Sequence, residues 1–371
     1  MQSESQPETK PNRRVGFRGH DFRRSPALVF YEVTQACGLV CKHCRACAQT
    51  HAHPDELSTR ESLGLIDQLA EFPQPPMLVL TGGDPLCRDD VFQLIDHATE
   101  AGLVTSITPS ATPLVTREAI ERLQHAGIHR MAISIDGADA KSHDRIRGVQ
   151  GSFARSLEIL RDAQRAGLPT QVNTTLTPEN VDQIDAMAEL LVDFGIVLWS
   201  VFFLVPVGRA QHSLRLSASE SEKVFEKLWH QSRRQPYHIK TTEAPHYRRF
   251  SMQQDRLSQS AGDAQTPFRA AGLNDGKGVM FVGHTGEVYP SGFMPIFCGR
   301  SPQQHVVQVY QESPLFKDLR DANRLEGKCR LCEYRTICGG SRARAYALTD
   351  NPLAEEPDCA YLPPAMSPTD D

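Results

Sequence analysis

Three closely spaced cysteines are the residues of this chain best suited to metal chemistry. Cys37, Cys41 and Cys44 follow an apolar run, and a short loop can bring their three sulfurs onto one iron–sulfur cluster. A [4Fe–4S] cluster has four irons, and proteins normally bind all four with thiolates. Three ligands therefore leave one iron free to bind another molecule, so we interpret this loop as a reaction site.

A second group of cysteines lies towards the C-terminus in a C-x-x-C-x5-C pattern, with a fourth cysteine 21 positions further on. Four thiolates in one small region indicate a metal centre that is closed to other ligands. A four-thiolate zinc site has similar spacing, but the upstream loop favours an iron–sulfur cluster. The predicted ligands are Cys329, Cys332, Cys338 and Cys359, whereas Cys47 and Cys87 are interpreted as free thiols and the role of Cys298 is left open.

The overall composition is that of an ordinary globular protein. Of its 371 residues 40% are hydrophobic and 23% charged, and the net charge of −5 gives no indication of nucleic-acid binding. Ten cysteines without an export signal argue for metal ligation rather than for a disulfide framework. No apolar run approaches the roughly 20 residues of a membrane span. We therefore predict a cytoplasmic protein without a membrane or nucleic-acid partner.

Strands and helices alternate through the first 210 residues. Apolar runs such as 77–80 indicate buried parallel strands, and amphipathic segments between them indicate covering helices. Six strands are fewer than the eight of a closed barrel, so we predict an α/β fold with a partial (β/α)6 TIM-type barrel. The active site of such a fold lies at the C-terminal ends of the strands. The predicted strands cover 27–31, 77–80, 103–108, 128–135, 169–176 and 198–205.

The pattern changes beyond residue 216, which predicts a second, smaller domain. A polar segment is interpreted as a connector or mobile substrate loop, and a β-hairpin follows it at 279–289. We divide the chain into a flexible arm at 1–26, the barrel at 27–240, the connector at 241–278, a small cysteine-rich domain at 279–362 and a flexible tail at 363–371.

The three-cysteine motif, placed after the first strand of such a barrel, resembles the radical S-adenosylmethionine (radical SAM) superfamily. The resemblance implies that the amino and carboxylate groups of S-adenosylmethionine bind the open iron. It also implies reductive cleavage of that cofactor to a 5′-deoxyadenosyl radical, which abstracts a hydrogen atom from the substrate. A reduced flavodoxin or ferredoxin is the implied electron donor.

Polar motifs at other strand ends resemble the cofactor-binding segments of this superfamily. Gly82 and Gly83 allow a close backbone approach to the methionyl amino group, and Asp84 follows them where the family usually has glutamate. The resemblance assigns further cofactor contacts to Ser110, Ser134, Arg147, Asn173 and Val205.

The C-terminal part resembles the SPASM/twitch extension of the superfamily, which implies one auxiliary iron–sulfur cluster, expected to be [4Fe–4S]. Segments 289–293 and 338–345 resemble the branch that modifies haem precursors, so the implied substrate is a modified tetrapyrrole or a related small metabolite. A peptide maturase of the same superfamily is the alternative. A non-catalytic iron–sulfur binding or redox protein is a second alternative.

Two basic segments have open interpretations. The stretch 246–249 (His-Tyr-Arg-Arg) could contact an anionic substrate such as a porphyrin propionate, or it could be charged surface. Arg342 and Arg344 follow the third late cysteine, and they could tune the potential of the auxiliary cluster or lie on a solvated helix.

Overall fold

The computed structural model describes residues 19–259 and 272–366, and its centre is one ten-stranded sheet. The strands, in chain order, are β1 (Leu28–Glu32), β2 (Met77–Thr81), β3 (Val104–Ile107), β4 (Arg130–Ser134), β5 (Thr170–Leu176), β6 (Leu198–Phe203), β7 (His238–Thr242), β8 (Val279–Val282), β9 (Glu287–Tyr289) and β10 (Gly299–Arg300).

The spatial order of the strands is β10-β9-β8-β1-β2-β3-β4-β5-β6-β7. All pairs from β8 to β7 are parallel, while β9 and β10 add antiparallel strands at one edge. In the described part of the chain β7 pairs only with β6, so the sheet is open. This arrangement confirms the predicted α/β partial barrel.

Helices cover the outer face of the sheet, and polar caps fix where several of them begin. Ser58 and Ser217 each form a capping box with a glutamate three residues later, which satisfies free N–H groups of the first turn. The helices are α1 (Thr59–Ala70), α2 (Val91–Glu100), α3 (Arg117–His125), α4 (Ala140–Arg147), α5 (Ser152–Arg165), α6 (Ile184–Val192), α7 (Ala218–Arg234), α8 (His246–Gln259), α9 (Val306–Glu312), α10 (Pro314–Arg320), α11 (Gly327–Leu331) and α12 (Arg342–Thr349).

The two faces of the sheet differ in packing. Side chains that alternate along each strand, such as Tyr31 and Trp199, lie fully buried in the main apolar core against the helices. Their neighbours on the opposite face, such as Phe30 and Asn173, are only partly buried. Because successive side chains of a strand point to opposite faces, the concave side of the sheet is an accessible interior. We call this side the inner face.

Three features extend beyond the sequence prediction. The predicted β-hairpin does form, but its first strand, β8, pairs with β1 and so continues the barrel sheet. The short segment 237–242, which the sequence offered as a possible further strand, forms β7, and its parallel pairing with β6 extends the sheet. Helix α8 occupies 246–259 of the predicted connector, whose residues 260–271 lie outside the described residues.

The described end of the predicted N-terminal arm packs on the C-terminal part of the chain. The Tyr310 hydroxyl donates a hydrogen bond of 2.7 Å to the carbonyl of Phe22. Residues 1–18 of the arm and 367–371 of the predicted tail lie outside the described residues. No helix within the described ranges is long and apolar enough to cross a membrane.

Candidate active site

The three predicted cluster cysteines lie together in the loop after β1. The loop is closed at its base by the Cys37 N–H, which donates to the Gln49 carbonyl at 2.7 Å. The N–H of Cys44 donates to the carbonyl of Cys41 at 3.3 Å, which tightens the turn. All three thiols are free of disulfides and share one small apolar cluster with Leu39. The loop thus presents three neighbouring sulfurs, as the spacing predicts.

Gly82 and Gly83 hold the end of β2 against the segment that leads into this loop. The Gly83 N–H donates to the Thr34 carbonyl at 2.8 Å, and the next N–H donates to the Ala36 carbonyl at 2.7 Å. A Cβ at Gly82 would lie 2.5 Å from the carbonyl oxygen of Thr34, closer than side-chain carbons occur. Glycine is therefore required here so that two backbone segments can touch.

Asp84 is buried and its carboxylate is occupied by protein donors. It accepts from the Thr112 hydroxyl at 2.7 Å and from the N–H groups of Leu86 at 3.2 Å and Ser110 at 3.3 Å. Burial raises the pKa of Asp84, and these hydrogen bonds counteract the rise. Ser110 in turn places its hydroxyl 3.3 Å from the Cys37 sulfur. Asp84 therefore positions Ser110 beside the first cluster cysteine.

Arg147 lies beside the cysteine loop, at the end of α4. Its guanidinium lies 3.6 Å from the Cys41 sulfur and 2.6 Å from the carboxylate of the fully buried Asp136. His43 approaches the same carboxylate at 3.6 Å. Burial alone would raise the pKa of Asp136, but Arg147 and His43 outweigh it and the pKa is lowered. The sequence interpretation did not assign Asp136, although it directly follows the predicted β4 motif.

Ser134 and Asn173 meet in register on the inner face. They are direct partners across β4 and β5, and Asn173 is the partner of Ser200 on β6. The Asn173 side-chain oxygen accepts from the amide of Gln171 at 2.6 Å. A row of polar groups thus crosses the inner face from β4 to β6.

The segment after β6 packs directly against the cysteine loop. Gly208 has φ +64°, and a Cβ there would lie 2.5 Å from the carbonyl oxygen of Cys44. The N–H of Arg209 donates to that carbonyl at 3.0 Å. Val205 is buried in a separate apolar cluster with Met294. Arg209 was not singled out from the sequence, and its position after the conformationally required glycine is the signal that could have identified it.

The residues around the loop fit an iron–sulfur cluster with a polar ligand. Three free thiols form the donor set. Several buried polar atoms beside them have no hydrogen-bond partner within the described residues, namely Nδ1 of His43, Nε of Arg147, and Nε and Nη2 of Arg209. Buried polar groups are normally satisfied. The guanidinium groups of Arg147 and Arg209 near an incomplete thiolate set suit a ligand that carries a carboxylate, as S-adenosylmethionine does.

The four late cysteines line one small cavity that opens to solvent. Backbone N–H groups point at two of the sulfurs, since Glu356 donates to Cys329 at 3.3 Å and Gly340 donates to Cys338 at 3.4 Å. Such N–H contacts suit thiolates that ligate a metal. We call this space the auxiliary cavity. The sequence-predicted ligands Cys329, Cys332, Cys338 and Cys359 are thus brought together.

Arg342 and Arg344 are among the most deeply buried side chains, so they do not lie on a solvated helix. Arg342 donates to the carbonyls of Pro352 and Ala354 and lies 3.9 Å from the Cys329 sulfur. Arg344 pairs with Glu356 at 3.0 Å. Of these two cations, Arg342 is the one that contacts a cysteine sulfur, as cluster tuning would require.

The basic stretch at the start of α8 is not a continuous charged surface. Arg249 pairs with Glu222, and His246 is fully buried. Arg248 donates to the carbonyls of Ile337 and Leu273 at 3.0 and 2.6 Å.

The three remaining cysteines form no disulfide. Cys298 donates to the Ile296 carbonyl at 3.5 Å, and it is not among the residues that line the auxiliary cavity. Cys47 and Cys87 are both partly buried.

Comparison with known proteins connects this geometry to a family. The sequence model of the radical SAM superfamily matches residues 31–191. The chain is 37% identical over 342 residues to the AdoMet-dependent heme synthase of Methanosarcina barkeri. The alignment covers 91% of this chain and 97% of that protein. It is 38% identical over 346 residues to the AdoMet-dependent heme synthase of Nitratidesulfovibrio vulgaris, with coverage of 92% and 94%.

Solved structures share the fold at lower identity. Streptococcus suis SuiB bound to S-adenosylmethionine aligns with a TM-score of 0.70 at 16% identity, over 91% of this chain and 78% of that chain. Native anSMEcpe with bound AdoMet and Cp18Cys peptide aligns with a TM-score of 0.66 at 15% identity, over 90% and 94%. The family model and the relatives together show that this chain belongs to the radical SAM superfamily, whose members bind a [4Fe–4S] cluster and S-adenosylmethionine.

Proposed function

We propose that this radical SAM enzyme acts on a haem-precursor tetrapyrrole. The observation that carries the proposal is the identity of 37–38% to AdoMet-dependent heme synthases over more than nine-tenths of the chain. Identity to the PqqA peptide cyclase of Bradyrhizobium diazoefficiens is only 25% over a similar length. This difference favours a tetrapyrrole over a peptide as the substrate.

In this proposal Cys37, Cys41 and Cys44 hold the catalytic cluster. When bound and reduced, the cluster and S-adenosylmethionine supply a carbon-centred radical that removes a hydrogen atom from the substrate. The chain's own residues bind and orient the cofactor. Gly82, Gly83, Ser134, Arg147 and Asn173 are proposed as cofactor contacts.

Three further residues of the same set are proposed to act less directly. The hydrogen bonds of Asp84 and Ser110 support a role in which Asp84 fixes the strand end and Ser110 faces the cluster thiolate of Cys37. Val205 is proposed to support the segment that carries Arg209, since its own side chain packs in an apolar cluster.

We further propose that the auxiliary cavity holds one iron–sulfur cluster, within a domain that spans 279–362. The cavity that the four cysteines line supports this assignment, as does the positive charge of Arg342 beside Cys329. A reduced flavodoxin or ferredoxin is the proposed electron donor. The division of the chain into a barrel at 27–240 and a connector at 241–278 remains part of the proposal.

The test begins with anaerobic reconstitution and counts of iron and sulfide per chain. The wild type should hold about eight irons, and alanine variants of the four late cysteines should keep about four. Zinc instead of iron in the wild type would overturn the auxiliary cluster but not the catalytic one.

Activity is then measured with dithionite, S-adenosylmethionine and an iron porphyrin that carries propionate side chains. We expect 5′-deoxyadenosine together with a mass change in the porphyrin. The triple variant with alanine at Cys37, Cys41 and Cys44 should give neither product. Cofactor cleavage that is never accompanied by porphyrin modification would reject the tetrapyrrole assignment and favour the peptide alternative.

A further inference from the structure

The inner face changes character from one side of the sheet to the other. On β8, β1 and β2 it presents apolar side chains, represented by Phe281, Phe30 and Val79, which alternate with residues of the main core. On β4 and β7 it presents the cations Arg130 and Lys240, whose strand neighbours Met131 and Ile239 belong to that core. The interior is therefore apolar on one side and cationic on the other.

Neither of these two cations has a partner. Within the described residues the side chains of Arg130 and Lys240 make no hydrogen bond or ion pair. Burial lowers the pKa of both, and the nearby Arg130 and Arg248 help to lower that of Lys240 to about 8. No carboxylate contributes to the pKa of either side chain. Both side chains are half-buried. A partly desolvated charge without a counterion costs free energy, so an anion bound at this position would be stabilised.

A third cation is fixed close to these two. Arg248 on α8 is held by two backbone carbonyls, one of them the carbonyl of Ile337 next to Cys338. Lys277 donates to the carbonyl of Thr336 in the same segment at 2.7 Å. The cationic side of the interior therefore adjoins the chain segment that carries an auxiliary cysteine. Arg248 and Lys277 already donate to backbone carbonyls, whereas the side chains of Arg130 and Lys240 remain free to bind a ligand.

We propose that Arg130 and Lys240 together bind a carboxylate of the substrate, while the apolar side of the interior, at the partly exposed Phe30, receives a flat macrocycle. The guanidinium offers a planar fork that matches a carboxylate, and the ammonium adds a compact charge. A tetrapyrrole with propionate side chains combines the two chemistries that the inner face separates. This inference rests on the proposed function and names the residues that select an acidic substrate.

The experiment measures binding of two porphyrins to the reconstituted protein by absorbance titration. One is iron coproporphyrin III, which carries four propionates, and the other is its neutral tetramethyl ester. The variants are Arg130→Met and Lys240→Met, which preserve side-chain length but remove the charge. Lys317→Met, at an exposed position on α10, is the matched control. Iron content and circular dichroism confirm that each variant is folded, and loss of an unpaired charge should not destabilise it.

We expect the dissociation constant for the acid to rise at least about tenfold in each inner-face variant, because each loses a charge-assisted contact. For the ester it should change less than about twofold, since no carboxylate is left to lose. Charge-retaining Lys240→Arg should bind the acid more tightly than Lys240→Met. Equal effects on acid and ester would overturn the inference and leave the proposed function intact. A wild type that binds neither porphyrin would reject the tetrapyrrole assignment and this inference with it.

Discussion

Replacement of Gly83 by alanine tests whether the glycine pair at the end of β2 shapes the cluster loop. A Cβ at this position would lie 2.6 Å from the carbonyl oxygen of Gln35 and closer still to that of Ala36. Both obstacles are backbone atoms, which cannot rotate away as a side chain can. The segment that leads to Cys37 would therefore have to move.

The expected cost follows from two contributions. For the new Cβ to lie at an ordinary van der Waals distance, the two carbonyl oxygens must move away by about 1 Å. Overpacking of this kind costs about 1–3 kcal/mol. The hydrogen bonds from the N–H groups of Gly83 and Asp84 to the same segment would lengthen, and each is worth about 1 kcal/mol. We expect a loss of about 3 kcal/mol in the free energy of unfolding, or about a hundredfold in the equilibrium constant.

Urea denaturation of the metal-free protein measures this loss, and iron content after reconstitution measures its effect on the loop. Gly64→Ala is the matched control because it lies within α1 with no atom within 4 Å of the added carbon. That substitution should stabilise the protein by roughly 0.5–1 kcal/mol. If Gly83→Ala behaves like Gly64→Ala and retains its iron, the steric reasoning is wrong.

Three other predictions concern separate parts of the chain. Arg342→Met should lower the free energy of unfolding by about 2–4 kcal/mol in urea denaturation, because two backbone carbonyls lose a charged donor. The exposed Arg330→Met should change this free energy by less than about 0.5 kcal/mol. If both substitutions lower it equally, the stabilising role of the hydrogen bonds of Arg342 is wrong. Burial and nearby cations lower the pKa of Lys240 to about 8 from 10.5, so the unfolded chain binds more protons between these values. The ligand-free protein should therefore gain stability from pH 8 to 10.5 in thermal unfolding, and Lys240→Met should show a smaller gain. Ser58→Ala should cost about 1 kcal/mol in urea denaturation because α1 loses its capping box, and an unchanged midpoint would argue against the cap.

Local sequence signals predicted the elements that repeat and the residues that are close in the chain. The alternation of apolar strands with amphipathic helices placed β1 to β6, and the cysteine spacing identified the loop at Cys37. The pairing of β8 with β1 has no local signal, because it joins segments from opposite ends of the chain. The sequence likewise does not show that Lys240 lacks a partner, since this depends on the side chains that distant elements, such as β4 and α8, place near it. The burial of Arg342 contradicts what its charge alone would favour, because carbonyls from a later turn surround it.

The pairing of β8 with β1 also constrains the order in which the molecule can assemble. Arg45, directly after the third cluster cysteine, binds Glu32 at 2.8 Å, and Glu32 also binds His284, 252 positions away. During synthesis β1 emerges long before β8 and meanwhile has an unpaired edge, a state that favours aggregation. We therefore expect the loop to reach its final order, and to accept its cluster, only after the C-terminal half is complete. A barrel truncated at residue 240 would lack the contacts that β1 and Glu32 make with that half.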